Sequence, residues 1–580
     1  MAEADSDAEA ETEKIPDGVP WKRALRTTTG ESVSGYLLKY VAPTALGGLV
    51  VSVVLLFLLG DLLGSLSPVV FVIPLFLTFV VGVYPKVIAD RRRVEIEQML
   101  HLFITDLGVL SSTNIPRVDV FTAFAEQEEY GAVAEEMRKI VELVQTWNMS
   151  LDEAARFQAK RTPSPILSDF LERLAYNIGA GQDMEEFLME EQSVVMSQYE
   201  TMYKGSLDNV DIVVDLFLSM SLSTSFVIVF ATIIPILTGS SPLMLLGGGV
   251  VLYAFIEVGF LYGTLVLIPN DPVWYHPEKT TDLDRKILLA LGVGIGLTAV
   301  TFLVAAGAYF GYIPDLLPFL NIPIPFYVAL PVTPLIYPGA VVYLEEKKIK
   351  NRDEEFPSFL RSLGASEHAK QSTTTKVLET LSKKDFGKLT DEIRNLYNRL
   401  NMRIDQELAW EHFSRETRSY LVQKGSEMYR IGRSNGGNTK RISNVISDNL
   451  ETLQELRQSR KQTAVNFMGV MYGMTAANVF AFFIGIEVVD LMVQITAEVN
   501  LPQDGPTGQL LHTQVYDITS VTFIILALIL VNAVLGSLMI KVVDGGNKIS
   551  AFVHLVALTW VGALVATVTR IFVSGFISVG

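Results

Sequence analysis

The sequence contains no cysteine, which excludes disulfide bonds and every form of thiolate chemistry. Charged residues are also scarce: they make up 19% of the 580 residues, where a soluble protein has about a quarter. Apolar residues account for 49%, and the mean hydropathy is +0.35. They are gathered into long runs separated by long polar stretches. This clustering predicts an integral membrane protein.

Two motifs of energy-dependent and metal-dependent catalysis are missing. No G-x-x-x-x-G-K-[ST] phosphate loop exists, because Gly387-Lys388 is followed by Leu389, and Ser382 stands where the first glycine is needed. No H-E-x-x-H pair exists, and the six histidines are scattered. We therefore predict a protein that is not an enzyme and that has neither cofactor nor metal. A partner would have to supply any energy for its work.

The net charge of -17 fits a protein of a salt-rich, halophilic cytoplasm about as well as an ordinary acidic protein. Seven of the first 17 residues are acidic and few are apolar. Such a composition predicts a disordered tail. Its charge is opposite to that of a secretory signal, so we expect no cleaved signal peptide.

Nine apolar runs have the roughly 17–25 residues needed to cross a bilayer. They lie at about 41–63, 67–85, 213–237, 243–268, 286–310, 323–344, 465–495, 516–540 and 549–573. The sixth contains five prolines, which predict a kinked or partly interfacial segment.

Lysine and arginine beside the runs predict the orientation, because these residues favour the cytoplasmic side. They flank the runs at 22–39, 86–93, 347–352, 457–461 and 541–548. The short loops at 60–66, 238–242, 311–322 and 496–515 contain none. We therefore expect a cytoplasmic N-terminus and an extracellular C-terminus.

The two long polar segments read as helices, with apolar residues at i, i+3 and i+4, as in Met99, Leu102 and Phe103. Strand-like alternation is absent. We predict an all-α polytopic protein with two cytoplasmic helical bundles. The expected parts are an acidic tail (1–35), a transmembrane hairpin (36–85), a first cytoplasmic domain (86–212), four spans (213–344), a second cytoplasmic domain (345–464) and three spans (465–580).

An internal repeat appears when the sequence is shifted by 256 residues without gaps. The shift places Phe103 on Phe359 and Leu107 on Leu363, and it places Gly131, Phe157 and Gly181 on Gly387, Phe413 and Gly437. It also places the run at 213–237 on 469–493. The sequence therefore predicts two copies of a span–span–domain–span–span unit, followed by a ninth span.

The first copy carries motifs of a known family. The segment Ser150-Leu-Asp-Glu-Ala154, the prolines Pro163 and Pro165, and the pair Tyr199-Glu200 resemble the helical domain of the type II secretion F family. The stretches at 106–121 and 126–131, with Leu174-Ala-Tyr-Asn-Ile-Gly-Ala-Gly-Gln182 and Ile234–Gly239, are similar to the archaellum platform family. In the second copy Asn435-Gly436-Gly437 replaces Gly179-Ala180-Gly181, and no proline pair follows Phe413.

The resemblance implies a non-enzymatic membrane scaffold. Its partners would be a cytoplasmic hexameric motor ATPase, pilin-like filament subunits and membrane lipids, and it would form a homodimer. The scaffold would couple ATP hydrolysis to assembly and rotation of a filament. Within the same family, the platform of a non-rotating adhesion pilus is an alternative.

The two cytoplasmic segments differ in charge, with 12 basic and 23 acidic residues in 86–212 but 23 basic and 18 acidic in 345–464. A basic domain in an acidic protein attracts an acidic partner surface. The candidate residues for ATPase docking flank a Gly-Gly turn: Arg430, Arg433, Lys440 and Arg441. A solvated helical face is the simpler interpretation of each one. No aromatic-rich basic module accompanies them, so we expect no nucleic-acid partner.

Acidic residues within the apolar runs are the other candidates, namely Glu257, Glu487 and Asp490. A charge in the bilayer is costly, so such residues face a bundle interior or an ion path. A protonated, hydrogen-bonded packing role is the plainer interpretation, and a transporter or channel is the rival function. Gly179 and Gly181 are expected to end a helix.

Overall fold

The computed structural model describes residues 33–49, 72–113, 115–277, 281–309, 323–498 and 517–577. Within these ranges the regular secondary structure is helical, with no strand and one isolated antiparallel bridge between Trp274 and Ser419. The all-α class predicted from the helical periodicity is confirmed. The predicted acidic tail lies almost wholly outside the described residues.

Seventeen principal helices follow one another along the described chain, and we number them in order. They are α1 (Val72–Ser111), α2 (Arg117–Glu126), α3 (Ala132–Trp147), α4 (Leu151–Ala159), α5 (Pro165–Gly179), α6 (Met184–Thr238), α7 (Pro242–Leu267), α8 (Asp282–Tyr309), α9 (Phe326–Val332), α10 (Ile336–Lys370), α11 (Thr374–Leu381), α12 (Thr390–Asn401), α13 (Gln406–Thr417), α14 (Tyr420–Ser434), α15 (Thr439–Glu498), α16 (Ile518–Asp544) and α17 (Ala551–Ile577). A short helix at Val33–Tyr36, continued by one π-helical turn at Leu37–Val41, precedes them.

Seven helical segments in the described part are long and apolar enough to cross a membrane. They are Met184–Thr238, Pro242–Leu267, Asp282–Ala308, Phe326–Lys370, Thr439–Ile495, Ile518–Asp544 and Lys548–Val573. Each contains or overlaps one of the predicted apolar runs from the third to the ninth. Residues 50–71 lie outside the described part, and with them most of the first predicted run and the start of the second.

The chain divides into two compact units. The first comprises residues up to Tyr199 together with Met428–Val445, and the second comprises Glu200–Glu427 together with Ile446–Gly580. Aromatic packing organises the core of the first unit, where the rings of Phe103, Phe124 and Tyr130 meet edge to face at 4.9–6.1 Å. The Tyr130 hydroxyl donates a hydrogen bond to Asp106 (2.9 Å), so the ring's polar end is satisfied inside the core.

The second unit contains five of the seven apolar segments entirely and most of the other two, and it has a second aromatic core. That core includes Phe356, Phe359 and Phe413, whose ring centroids lie 6.2–6.5 Å apart. Within the apolar part the helices approach closely at glycine. A Cβ on Gly339 of α10 would lie 2.9 Å from the Val553 nitrogen of α17. Small residues at a crossing allow two membrane helices to pack backbone against backbone.

The repeat predicted from the sequence is visible in equivalent contacts. The Phe103–Tyr130 ring pair (6.1 Å, 79°) has its counterpart in Phe359–Phe386 (5.6 Å, 84°). A second equivalence is a buried carboxylate that accepts a hydrogen bond from a serine. Glu97 accepts from Ser164 (3.2 Å), and Asp353 accepts from Ser419. Each serine oxygen also accepts a backbone N–H of the following helix, at Leu167 and Val422.

The single gapless shift is wrong after the third helix of each copy. Gly131 and Gly387, both with positive φ, obey the shift of 256 residues. Beyond α3 the equivalent residues are 255 apart: Ser164 with Ser419, and Gly181 (φ 71°) with Gly436 (φ 84°) rather than with Gly437. Burial supports the shift of 255 residues. Gln158 is buried like Phe413, its equivalent at that shift, whereas Phe157 is not. The second copy is therefore one residue shorter between Gly387 and the start of α13 than the first copy is between Gly131 and the start of α4.

Candidate functional site

The predicted basic residues flank a helix-ending turn between α14 and α15. The Gly437 N–H donates to the Gly432 carbonyl (3.0 Å), and the Gly436 N–H donates to the Arg433 carbonyl (3.1 Å). This pair of bonds is a Schellman motif, which needs a left-handed residue at Gly436. The turn therefore holds the basic residues on the end of one helix and the start of the next.

Only part of this basic group is free to meet a partner. Lys440 is exposed, whereas Arg441 forms an ion pair with Glu185 at 2.7 Å. Arg430 and Arg433 are half-buried and already interact within the protein. The four residues share one turn, as the sequence indicates, but three of them are engaged.

The family-motif glycines lie at the equivalent turn of the first copy. Gly181 (φ 71°) closes a second Schellman motif, in which its N–H donates to Ile178 (3.1 Å) and that of Gln182 donates to Asn177 (3.2 Å). Gly179 is the last residue of α5 and has ordinary helical geometry. Gly181 is therefore the residue of this pair whose backbone conformation favours glycine.

The three intramembrane acids lie in different surroundings. Glu257 in α7 is 1% exposed, and neither of its carboxylate oxygens has a hydrogen-bond partner. Glu487 in α15 lies 3.4 Å from the Arg570 guanidinium of α17, and Asp490 accepts a bond from Gln494 (3.2 Å). The structure does not bring these acids together into one hydrogen-bonded group. Arg570 was not recognised in the sequence as a partner.

A polar ladder crosses the apolar part of the second unit, formed by Ser225, Asn478, Tyr253, Asn532 and Thr475. Ser225 donates to Asn478 Oδ1 (2.8 Å), and Asn478 Nδ2 donates to the Tyr253 hydroxyl (3.3 Å). Tyr253 donates to Asn532 Oδ1 (3.2 Å), and Asn532 Nδ2 donates to Thr475 (2.9 Å). These bonds join α6, α7, α15 and α16. In lipid they fix which faces of the four helices meet.

A charge network, absent from the sequence predictions, lies where polar helices meet the apolar segments of the second unit. Arg457 of α15 donates to both carboxylate oxygens of Asp271 (2.6 and 2.7 Å) and to Asp353 of α10 (2.7 Å). One turn later, Arg460 donates to the carbonyls of Pro269 and Val543 (3.1 and 2.8 Å). These two arginines join α15 to three other segments of the unit.

The second half of the charge network pairs Lys541 of α16 with Glu346 of α10 at 3.0 Å. Both side chains are only 3% exposed. Lys541 also donates to Asp544 (2.9 Å), and the Asn547 N–H donates to Glu346 (3.1 Å). The carboxylate rests on Gly546 (φ 82°), where any Cβ would overlap it. The loop between α16 and α17 is thereby fastened to α10.

A cavity of about 280 Å³ opens beside the charge network. The network's own residues and two exposed lysines, Lys347 and Lys461, line it. Every carboxylate of the network already has a cationic partner. The arrangement offers cohesion between helices and no nucleophile or acid–base pair for catalysis, and the part of the chain that the structure describes contains no group of metal-ligating residues.

Burial raises the pKa of two carboxyl groups that lie outside the membrane segments. Desolvation raises the pKa of Glu97, against the opposing effect of Arg93 (2.9 Å) and Ser164. Desolvation also raises the pKa of Glu392, against the attraction of Arg352. Both are interior carboxylates with a dedicated arginine, which is typical of ion pairs that hold helices in register.

Comparisons with known proteins identify a matching family and relatives of this chain. The family described as "Type II secretion system (T2SS), protein F" matches residues 103–232. Flagella accessory protein J of Methanocaldococcus jannaschii is 34% identical over 553 residues, which cover 94% of this chain and 96% of the relative. The protein of the same name from Methanococcus voltae is 34% identical over 537 residues, covering 92% and 95%.

An uncharacterized protein of Methanocaldococcus jannaschii is 28% identical over 117 residues, a fifth of each chain. No solved structure matches. The identity with the two accessory proteins extends over almost the whole of both chains, through both long polar segments and the apolar helices between them. The chain therefore belongs to the flagella accessory protein J family, the multi-pass membrane platforms of the archaellum.

Proposed function

We propose that this platform couples a cytoplasmic hexameric ATPase to the assembly and rotation of an archaellum-type filament. The observation that carries the proposal is the continuity of α10 and α15. Each leaves a packed polar bundle and enters an apolar segment without a break in the helix. A continuous helix is stiff, so a displacement of its polar end reaches the membrane end.

The charge network supports the same function. Arg457 and Lys541 tie α10 to α15 and α16 at the level where the polar and apolar parts meet. Buried pairs of this kind tolerate little relative sliding, because separation leaves a charge without a partner. Force applied to the polar bundle would therefore move these helices together.

The orientation proposed with this function follows from the lysine and arginine residues beside the apolar runs. The homodimer follows from the family resemblance. Both cytoplasmic segments face the ATPase, the N-terminus is inside, and the C-terminus is outside. The platform acts as a homodimer through its spans, which a native mass of one chain in lipid nanodiscs would contradict. ATPase docking through the basic turn has to rely on Lys440, since Arg441 is paired with Glu185.

Deletion of the gene in its native host tests the function. We expect a loss of swimming and of surface filaments, restored by the wild-type gene, together with co-purification of the motor ATPase with the platform. Retained swimming with lost surface adhesion would assign the protein to the alternative, a non-rotating pilus. Normal filaments in the deletion strain would contradict both.

A further inference from the structure

The first unit has a cavity of about 350 Å³ at the C-terminal end of α5. We name it the Tyr176 pocket, and its lining comprises Glu172, Arg173, Tyr176, Asn177, Gln182 and Phe187. Three of these residues belong to the Leu174–Gln182 motif of the family resemblance. The Schellman turn at Gly181 accounts for the glycine of that motif but not for its tyrosine, asparagine and glutamine.

Asn177 presents an unused acceptor at this pocket. Its side chain is 5% exposed, and its amide nitrogen donates to the Gln182 side-chain oxygen at 2.6 Å. The other atom of the amide, Oδ1, is buried and has no hydrogen-bond partner. A buried acceptor without a donor is energetically costly. A donor supplied from outside would remove that penalty.

Two outward residues frame the same opening. Tyr176 is 71% exposed, whereas Phe170, Leu171 and Leu174 of the same helix are fully buried. Glu172 lies one turn before Tyr176 on the same helix face, is exposed, and pairs with no basic side chain in the described chain. The pocket thus offers a ring face, a carboxylate and an amide oxygen.

The basic residue of the lining is already occupied. Arg173 forms two parallel bonds with the Glu191 carboxylate (2.7 and 2.8 Å), and these bonds raise the pKa of its guanidinium. The pocket also lies at a helix C-terminus, whose carbonyl groups carry partial negative charge. The Glu172 carboxylate and Asn177 Oδ1 therefore remain as acceptors that attract a cation.

We propose that the Tyr176 pocket binds an arginine side chain of the cytoplasmic motor ATPase. The inference deepens the proposed function and rests on it. A guanidinium is planar, so it stacks on the Tyr176 ring while its five N–H groups reach Asn177 Oδ1 and Glu172. A lysine ammonium has no flat face to stack and holds its own water tightly. An arginine-bearing surface also complements the net negative charge of residues 86–212.

The test measures binding of the cognate ATPase to the full chain in lipid nanodiscs. Y176A is expected to weaken binding about 2–5-fold, in the range of an exposed cation–π contact. E172K replaces an attraction with a repulsion and is expected to weaken it about 5–10-fold. Y176F retains the ring and should bind within about twofold of wild type.

Matched controls lie on another helix of the same unit, α3. Trp147 is 74% exposed and Glu142 is exposed, so W147A removes a similarly exposed ring and E142K reverses an exposed charge, both outside the pocket. Both should bind like wild type. A photoreactive phenylalanine at position 176 should cross-link to an ATPase peptide next to an arginine.

The outcomes distinguish a failure of the proposed Tyr176 pocket from a failure of the proposed platform function. Wild-type binding that Y176A and E172K leave unchanged, or a cross-link to a surface without arginine, overturns the arginine pocket and leaves the platform function intact. A wild-type platform that does not bind the ATPase overturns both. Equal losses in the variants and the controls would show a general charge or stability effect and would also reject the pocket.

Discussion

Gln454 donates its side-chain amide to the backbone carbonyl of Asp353, the acceptor that Pro357 leaves empty in helix α10. Proline has no N–H, so the carbonyl four residues earlier loses its helical donor. Pro357 is buried in a helix that continues to Lys370. The glutamine of α15 therefore repairs a defect in α10, and in doing so joins the two helices.

The repair is testable as a double-mutant cycle. Q454A should lower the free energy of unfolding by about 1–3 kcal/mol, because it leaves a buried carbonyl unsatisfied. In a P357A background the helix supplies its own donor, so the same substitution should cost much less. Thermal unfolding of the four proteins in one detergent measures the coupling. Equal costs of Q454A in both backgrounds would contradict the repair.

Arg457 should be the most sensitive cation of the charge network. R457M leaves the carboxylates of Asp271 and Asp353 buried without a partner, for an expected loss of about 3–5 kcal/mol of unfolding free energy. R457K retains the charge but loses the fork geometry, and its loss should be intermediate. The measurement is chemical unfolding in detergent.

A matched control exists in the same unit. Arg361 also contacts two carboxylates, Asp448 and Glu451 (2.7 and 2.8 Å), but all three side chains are exposed to solvent. R361M should therefore cost less than about 1 kcal/mol. If R361M and R457M have equal effects, burial is not what makes the network important.

Gly546 should resist substitution because its φ is 82° and because the Glu346 carboxylate occupies the space of a Cβ. G546A should lower thermal stability in detergent by displacing Glu346 from Lys541. The control is G205A, a helical position with open space around it, where alanine is expected to be neutral or stabilising by up to about 1 kcal/mol. A stable G546A protein would show that the loop can move away from α10.

The sequence predicted what depends on local patterns. Seven apolar segments were found because hydrophobicity is read residue by residue, and the turn at Gly181 was found because glycine is locally diagnostic. The partners of Arg457, Arg460 and Lys541 were missed. Their position beside the apolar runs gave them a sufficient explanation as orientation signals. The groups that bind them are far away in sequence: the Val543 carbonyl lies 83 residues from Arg460, and the Glu346 carboxylate lies 195 residues from Lys541.

The candidate site was also incompletely predicted, because contacts between residues far apart in sequence leave no local pattern. The four basic residues at the Gly436 turn looked equivalent, yet Glu185, far away in sequence, pairs with Arg441. The one-residue difference between the copies was hidden because each sequence match is weak and a shift of 255 or 256 fits different parts. The hydrogen bonds of Ser164 and Ser419 reveal it, since an N-cap has a fixed register in its helix.

Membrane orientation is tested by single cysteines in the naturally cysteine-free chain. Cysteine at Ser241, in the exposed loop between α6 and α7, should react with an impermeant maleimide added to intact cells. Cysteine at Ser150 or Lys384, both exposed, should react only after the membrane is opened. Labelling of position 384 in intact cells would invert the proposed orientation.

Glu257 gives the clearest separation between packing and ion transport. Its side chain is buried, and among the described residues it forms no ion pair. An ionised carboxylate without a cationic partner is costly in a membrane segment, so we predict that the side chain is protonated there. E257Q has nearly the same shape and is also neutral. It should therefore change the unfolding free energy by less than about 1 kcal/mol, whereas E257A should cost about 2 kcal/mol or more by leaving a cavity.

The functional consequence follows from the same argument. If Glu257 only packs against its neighbours, cells with E257Q should assemble filaments and swim as well as wild type. The infrared spectrum of wild type at neutral pH should contain the band of a protonated carboxyl that E257Q lacks. Glu487 provides the contrast, because E487Q removes a charge that faces Arg570 at 3.4 Å and should lower stability more than E257Q does. A folded, stable E257Q protein in cells without filaments would mean that the proton itself is used, and would favour the ion-path interpretation over packing.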